Sequence, residues 1–217
     1  MTQITIPEGV TYIGEYALGE CTSLQQISIP SSVKEIDKYA FYCDRKLCEI
    51  ELPPSLTKIS EKCFQGCVHL KRMIIPSSVT LIDDSAFYGC ESLTELIIPS
   101  SVIEIKDCGF YACKSLVEVS IPAKIIGKYA FSKCRLLKHV NILSSVNIIC
   151  EGAFMECYNL CNISFSQPSS LIKIERFAFK SCSNLKKLSI PSTVKTIENN
   201  SFSKEIDVLT HKKCNIV

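Results

Sequence analysis

Two kinds of side chain in this sequence could carry nucleophilic or metal chemistry: fourteen cysteines and three histidines. A thiol beside an imidazole is the pair that a cysteine nucleophile needs. His139 and Cys161 would form such a pair if they lie on neighbouring strands of one face, roughly 6 Å apart. No third orienting group and no oxyanion donor can be named beside them, so an enzyme is the remotest of the functions considered.

Two pairs of cysteines have a spacing found among zinc ligands: Cys63 with Cys67, and Cys157 with Cys161. A structural zinc site needs four ligands. Cys67 and Cys157 occupy a slot that recurs all along the chain, and no second pair completes either set. We therefore predict no metal site, and the sequence indicates no cofactor.

The last four residues, Cys214, Asn215, Ile216 and Val217, follow the C-a-a-X pattern of a prenylated cysteine. Lys212 and Lys213 precede them and give the segment a mildly basic character. Asn215 departs from the aliphatic residue usual at that position, and Val217 does not select between farnesyl and geranylgeranyl. The pattern predicts a lipid on Cys214; the alternative is an arbitrary cysteine-containing tail.

All of these residues are positioned by one unit of 23 residues, for which Met73–Glu95 (MIIPSSVTLIDDSAFYGCESLTE) is a clear example. About nine copies begin at Ile4, Ile27, Ile50, Met73, Leu96, Val119, Val140, Ile163 and Leu188. Self-similarity at such a period is typical of a solenoid, in which each repeat is one coil that cannot bury its apolar side alone. We predict one solenoid over residues 1–209 and a flexible tail over 210–217.

Each copy follows the pattern I-x-I-P-x-x-V-x-x-I-x-x-x-A-F-x-x-C-x-x-L. The I-x-I segment predicts a strand, and proline ends it because proline has no N–H to donate. The V-x-x-I segment predicts a short extended piece on the opposite side. Since the Phe and Cys of A-F-x-x-C are three residues apart, this part predicts a single helical turn.

Two slots of the repeat predict columns of stacked side chains in the core. The aromatic slot holds Leu18, Phe41, Phe64, Phe87, Phe110, Phe131, Phe154, Phe179 and Phe202. The thiol slot holds Cys21, Cys67, Cys90, Cys113, Cys134, Cys157 and Cys182, with Asp44 in the second copy. Free cysteine packs as a small apolar residue. We therefore predict buried, reduced thiols, typical of a cytosolic protein, rather than a disulfide scaffold.

This pattern resembles the BspA-type leucine-rich repeat family over nearly the whole chain, from Ile4 to about Val208. The resemblance implies a right-handed, mainly β coil or horseshoe, with a parallel sheet on one face and short helical turns on the other. It also implies a binding or adhesion scaffold. Some protozoan relatives also look prenylated, which supports the prediction for Cys214.

The outward positions of the predicted strands form columns on one face, and the central coils carry an apolar patch there. The patch comprises Ile74, Ile97 and Val117, with Arg72, Glu95, Glu118, Lys138 and His139 around it. An apolar centre with a charged rim is typical of a protein-binding surface. The alternative is that β-branched residues merely favour strands.

The remaining features bear on partners and location. The net charge of +2 does not favour nucleic acid. The N-terminal sequence MTQITIPEGV lacks the features of a signal peptide, and no long apolar run predicts a membrane span. We expect a cytoplasmic scaffold held at the cytosolic face of a membrane by its lipid; the alternative is a cell-surface or secreted adhesin. A second chain could cover the open N-terminal coil, and the sequence does not fix the oligomeric state.

Overall fold

The computed structural model describes residues 2–210 and the backbone of the strand Asn215–Ile216. The chain winds into about nine turns of a parallel β-solenoid, which confirms the predicted repeat architecture. Every turn contributes one strand to a front ladder and one short strand to a back ladder. The odd-numbered strands form the front ladder and the even-numbered strands form the back ladder.

The front strands contain the I-x-I segments of the repeats. They are β1 (Gln3–Thr5), β3 (Gln26–Ser28), β5 (Glu49–Ile50), β7 (Arg72–Ile74), β9 (Glu95–Ile97), β11 (Glu118–Ile121), β13 (His139–Ile142), β15 (Asn162–Phe165), β17 (Lys187–Ser189) and β19 (Asp207–Leu209). Most neighbours pair in parallel with equivalent repeat positions side by side, as Ile74 does with Ile97. Pairing is interrupted between β5 and β7, between β9 and β11, and between β15 and β17.

The back strands contain the V-x-x-I segments and also pair in parallel and in register, except that the second and third of them are not paired with each other. They are β2 (Tyr12–Ile13), β4 (Glu35–Ile36), β6 (Lys58–Ile59), β8 (Leu81–Ile82), β10 (Glu104–Ile105), β12 (Ile125–Ile126), β14 (Ile148–Ile149), β16 (Lys173–Ile174), β18 (Thr196–Ile197) and β20 (Asn215–Ile216). The second residue of each of β2 to β18 points inward and is buried, because side chains alternate along a strand.

The serine pair that follows proline in many repeats joins one coil to the next. The Ser32 hydroxyl donates to the Val10 carbonyl oxygen (2.8 Å), and Ser101 donates to the Val79 carbonyl oxygen (2.7 Å). Each bond spans one repeat. The recurrent serine therefore satisfies a carbonyl of the preceding coil, in addition to its role as a turn residue.

The predicted helical turns are wrong: the described residues contain no helix, and the A-F-x-x-C segments form consecutive tight turns. The residues two before and two after the aromatic slot have a positive φ, which a right-handed helix excludes. They are Tyr16, Glu20, Tyr39, Cys43, Lys62, Gly66, Ser85, Gly89, Cys108, Ala112, Tyr129, Lys133, Gly152, Glu156, Phe177, Ser181 and Asn200. In this conformation every second backbone N–H group points toward the next coil. The Phe41 N–H, for example, donates to the Cys63 carbonyl oxygen (2.9 Å).

The core is a continuous stack of aromatic rings along the solenoid axis. Consecutive phenylalanine rings from Phe41 to Phe202 lie 5.0–5.6 Å apart between centroids and within 13° of parallel. Those from Phe41 to Phe179 are fully buried, whereas Phe202 in the ninth coil is partly exposed. Each central ring thus has an aromatic neighbour on both sides.

The thiol slot also packs as a column, with one hydrogen bond per coil. The Cys90 thiol donates to the Phe64 carbonyl oxygen at 3.2 Å, and the same bond recurs for every buried thiol of the column from Cys67 to Cys182. Burial raises the pKa of these thiols, to about 12 at Cys134, which keeps them protonated and unreactive. The thirteen cysteines described are all free; Cys21, in the first coil, is only partly buried.

The first coil is open on its outer side. Ile4 and Leu18 are partly buried there, whereas most of their equivalents in the following coils are buried. Coverage of this end by another chain remains a prediction.

Asp44 takes the place of cysteine in the second coil, and its burial should make the stability of the folded chain depend on pH. Its side chain is fully buried, one carboxyl oxygen accepts the Cys21 N–H (2.7 Å), and the other has no partner within the described structure. Desolvation raises the pKa of Asp44 to about 7, whereas the pKa of aspartate in an unfolded chain is about 4.

Between these two pH values the folded chain binds more protons than the unfolded chain. The free energy of unfolding should therefore fall as pH rises from about 4 to about 7, and this contribution should be flat above that. Urea unfolding at a series of pH values checks it, with Asp44→Cys as the matched control because cysteine is the residue of the other coils. The difference between the two proteins should grow toward pH 7; parallel curves would contradict the assignment.

Candidate protein-binding face

The apolar residues predicted on the front ladder are exposed, and two of them, Ile74 and Ile97, are adjacent. Ile74 and Ile97 are register partners in β7 and β9, with 47% and 55% of their side chains accessible. Met73 and Leu96 precede these isoleucines in the same strands, and their side chains point to the opposite side of the ladder, toward the core. Val117, just before β11, is 38% exposed. We refer to Ile74, Ile97 and Val117 as the front patch.

The charged residues expected around the front patch are all exposed. Arg72 Nε lies 3.0 Å from Glu95 Oε2, so these side chains form an ion pair beside the two isoleucines. Both are more than half exposed, and such a pair contributes only about 0–1 kcal/mol to stability. Glu118 and His139 are register partners in β11 and β13. Lys138, immediately before β13, donates its backbone N–H to the Val117 carbonyl oxygen (2.8 Å).

Two depressions flank the isoleucines, and both lie where pairing in the front ladder is interrupted. One, of about 490 Å³, lies between β5 and β7 and is lined by Glu49, Glu51 and Ile74 among others. The other, of about 360 Å³, extends from β9 past β11 and is lined by Leu96, Ile97 and Glu118 among others.

Leu96 shows that the second depression reaches the core layer. Its equivalents Met73 and Val119 are buried, but Leu96 is only partly buried. The Ile74–Ile97 pair is therefore a low ridge between two hollows, one of which exposes an inward-facing leucine. Such a relief can receive protruding apolar side chains of a partner, which act as anchors in protein interfaces.

Three carboxylates on this face lie beside the two depressions and two lysines lie in later coils, with Lys71 exposed between the carboxylates. Glu49, Glu51 and Glu118, beside the two depressions, make no ion pair within the described part of the chain. Lys138 and Lys187 lie toward the C-terminal coils and are exposed. This polarity would orient a partner along the solenoid.

The structure does not assemble the nucleophile or zinc arrangements considered from the sequence. The backbone partner of His139 in β15 is Asn162, and the Cys161 thiol donates to the Lys138 carbonyl oxygen (3.5 Å) rather than meeting the imidazole. Cys63, Cys67 and Cys157 are buried in the column region. Among the residues described, no cluster of three or more His, Cys, Asp or Glu side chains could hold a metal ion.

Sequence analysis missed a second apolar surface on the back ladder. Its outward residues are Leu81, Ile103, Ile125, Ile148 and Ile172, of which Ile103 and Ile172 are 51% and 42% exposed. The column alignment that revealed the front patch would have found these residues too, because they occupy the outward slots of the V-x-x-I segments.

Cys214, the predicted lipid site, and Lys212 and Lys213 before it lie outside the described residues. Within the described part of the chain, no helix is long and apolar enough to cross a membrane.

Comparison with known sequences and structures agrees with this architecture. Residues 1–117 and 80–210 match the profile of the BspA type leucine rich repeat region. No curated protein matches the sequence.

Two solved structures illustrate the shared fold. A leucine-rich repeat protein from Bacteroides ovatus is 22% identical, with a TM-score of 0.64 over 99% of this chain and 74% of that one. A leucine rich repeat protein of T. pallidum is 28% identical, with a TM-score of 0.58 over 85% of this chain and 78% of that one.

Proposed function

Because this chain belongs to the BspA type leucine rich repeat family, we propose that it is a non-enzymatic scaffold that binds a protein partner through its front ladder. The observation that carries the proposal is the exposed Ile74–Ile97 ridge between two depressions. Burying exposed apolar surface is the main driving force for association. An exposed apolar pair with charged residues around it has the composition of a protein-binding surface.

The flanking charges define what kind of partner fits. The carboxylates of Glu49, Glu51 and Glu118 favour lysine or arginine next to the partner's apolar anchor. Lys138 and Lys187 favour acidic residues in the part of the partner that lies over the C-terminal coils. Such complementary charges mainly raise the association rate and fix the orientation of the complex.

Affinity capture from the native cells tests this function. The wild-type chain as bait should enrich a protein, and the front-patch variants described in the Discussion should lose it. Enrichment that is equal for wild type and front-patch variants, or turnover that requires Cys161, would reject a scaffold that acts through this face.

We further propose that Cys214 carries a prenyl group that holds the scaffold at the cytosolic face of a membrane. The proposal rests on the sequence Cys214-Asn215-Ile216-Val217. One lipid chain gives only marginal membrane binding. Lys212 and Lys213 could add about 1 kcal/mol each on an anionic leaflet.

The expected result is partial, salt-sensitive membrane association that Cys214→Ser abolishes and Lys212→Glu/Lys213→Glu weakens. Intact mass of the protein from its native cells is the measurement. A mass that retains Asn215, Ile216 and Val217 with unmodified Cys214 would reject the anchor and leave the binding function untouched. Labelling of the protein on intact cells would instead favour the adhesin alternative.

A further inference from the structure

The back ladder carries an apolar patch that the proposed function does not use. We define the back patch as Leu81, Ile103, Ile125 and Ile148, which belong to four consecutive coils. Ile125 pairs directly with Ile148, whereas Leu81 and Ile125 lie on either side of Glu104, which pairs with both. Leu81, Ile125 and Ile148 are partly exposed and occupy one column of the back ladder. Ile103 precedes β10 and is 51% exposed.

Ion pairs formed within the chain bound this patch at both ends. On one side Lys58 Nζ lies 3.2 Å from Glu35 Oε1. On the other, Lys173 Nζ lies 2.9 Å from Glu175 and 2.7 Å from Glu198. The rim is thus polar and largely neutralised, as in protein interfaces.

Two opposite charges within the patch make no ion pair in the described part of the chain. Glu104 lies in the fifth coil next to Ile103, and Lys124 lies in the sixth coil next to Ile125. They are on neighbouring coils but in different columns: Glu104 pairs with Ile125, and Lys124 donates its backbone N–H to the Ile103 carbonyl oxygen (2.7 Å). One acid and one base therefore lie on opposite sides of the patch's midpoint.

We propose that the back patch binds a second copy of this chain. A two-fold axis parallel to the strands, passing between the fifth and sixth coils, exchanges those coils and also the fourth with the seventh. It places Leu81 against Ile148 of the second copy. It also brings Glu104 close to Lys124 of the second copy, and Lys124 close to Glu104 of the second copy.

This arrangement is self-complementary, which is the condition for a closed two-fold interface. Leu81 meets Ile148 of the second copy. Glu104 lies opposite Ile125 of the second copy, the residue next to Lys124. Each of the two charges thereby gains one partner of opposite sign, which gives two symmetric contacts. The aliphatic stem of Lys124 can pack on Ile103 of the second copy while its ammonium group reaches the carboxylate. The front patch stays free, so the dimer would present two partner-binding faces.

Sedimentation velocity of the full chain between about 1 and 100 µM tests the proposal, because a dimer of micromolar Kd is populated in that range. Wild type should dimerise. Glu104→Lys and Lys124→Glu should each raise the Kd about tenfold or more, since each puts like charges together at two symmetric contacts. The double variant Glu104→Lys/Lys124→Glu should restore dimerisation, because the charges are exchanged.

Two controls separate this inference from the proposed function. Lys187→Glu, a matched charge reversal on the front ladder, and Ile74→Lys/Ile97→Lys should both leave the dimer unchanged. A wild type that stays monomeric up to 100 µM, or a double variant no better than the single variants, would overturn the proposal. Neither result would bear on partner binding by the front patch.

Discussion

The Ile74→Lys/Ile97→Lys variant should fold like the wild type and bind its captured partner at least about 100-fold more weakly. Two central apolar anchors are lost, and an anchor at the centre of a protein interface contributes about 2 kcal/mol or more when it is a hot spot. Both side chains are about half exposed, so the fold should lose no more than about 2 kcal/mol of stability, since strand preferences span about 1 kcal/mol for each substitution.

Binding of the captured partner, measured by titration, checks this result, and urea unfolding checks the fold. Thr5→Lys/Ser28→Lys is the matched control: these residues occupy the same column on the first two coils and are register partners. The control should bind like the wild type. Equal loss in both variants would indicate a general charge effect, and global unfolding of the Ile74/Ile97 variant would show that these side chains support the core.

Phe87→Ala should destabilise the solenoid by about 3–5 kcal/mol, the cost of truncating a large buried aromatic residue. Phe87 is fully buried, and its ring stacks on Phe64 at 5.3 Å and on Phe110 at 5.0 Å. The surrounding coils cannot collapse into the gap easily, because inter-coil hydrogen bonds fix their spacing. Equilibrium unfolding in urea gives the difference.

Phe202→Ala is the internal comparison for this prediction. Phe202 is partly exposed and stacks on one phenylalanine ring, that of Phe179, at 5.6 Å. Its truncation should cost clearly less, because a terminal repeat has fewer neighbours. Equal losses at the two positions would contradict a stack in which each ring is supported from both sides.

The parts of the fold that could be predicted from sequence are those that repeat in register. The recurrence of Ile, Pro, Phe and Cys at fixed slots specifies which side of each coil is buried, and hydrophobic burial then follows. Exposure of Ile74 and Ile97 followed from strand alternation alone. Neither inference needed the path of the chain between the strands.

The turns could not be predicted in the same way. Slots with positive φ hold residues as different as Tyr39, Lys62 and Ser85, which do not favour that conformation on their own. Hydrogen bonds to the next coil impose it, such as that from Lys62 N–H to the Asp84 carbonyl oxygen (2.9 Å). A local three-residue spacing of Phe and Cys therefore suggested a helical turn that the inter-coil bonding overrides.

The depressions beside the front patch could not be predicted from the sequence either. They arise where β5 and β7, and β9 and β11, are not paired, and no residue in the repeat pattern marks those positions. The partial exposure of Leu96 depends on this separation and not on its slot, which is buried in the coils on either side.

Site-specific photo-cross-linking in native cells tests the central claim most directly. A photoreactive amino acid replaces either Val117 in the front patch or Thr11, which is exposed before the back strand of the first coil. Binding through the front ladder predicts a covalent adduct of one defined protein from position 117 and none of that protein from position 11. An adduct of the same protein from position 11 alone, or from neither position while capture succeeds, would contradict partner binding through this face.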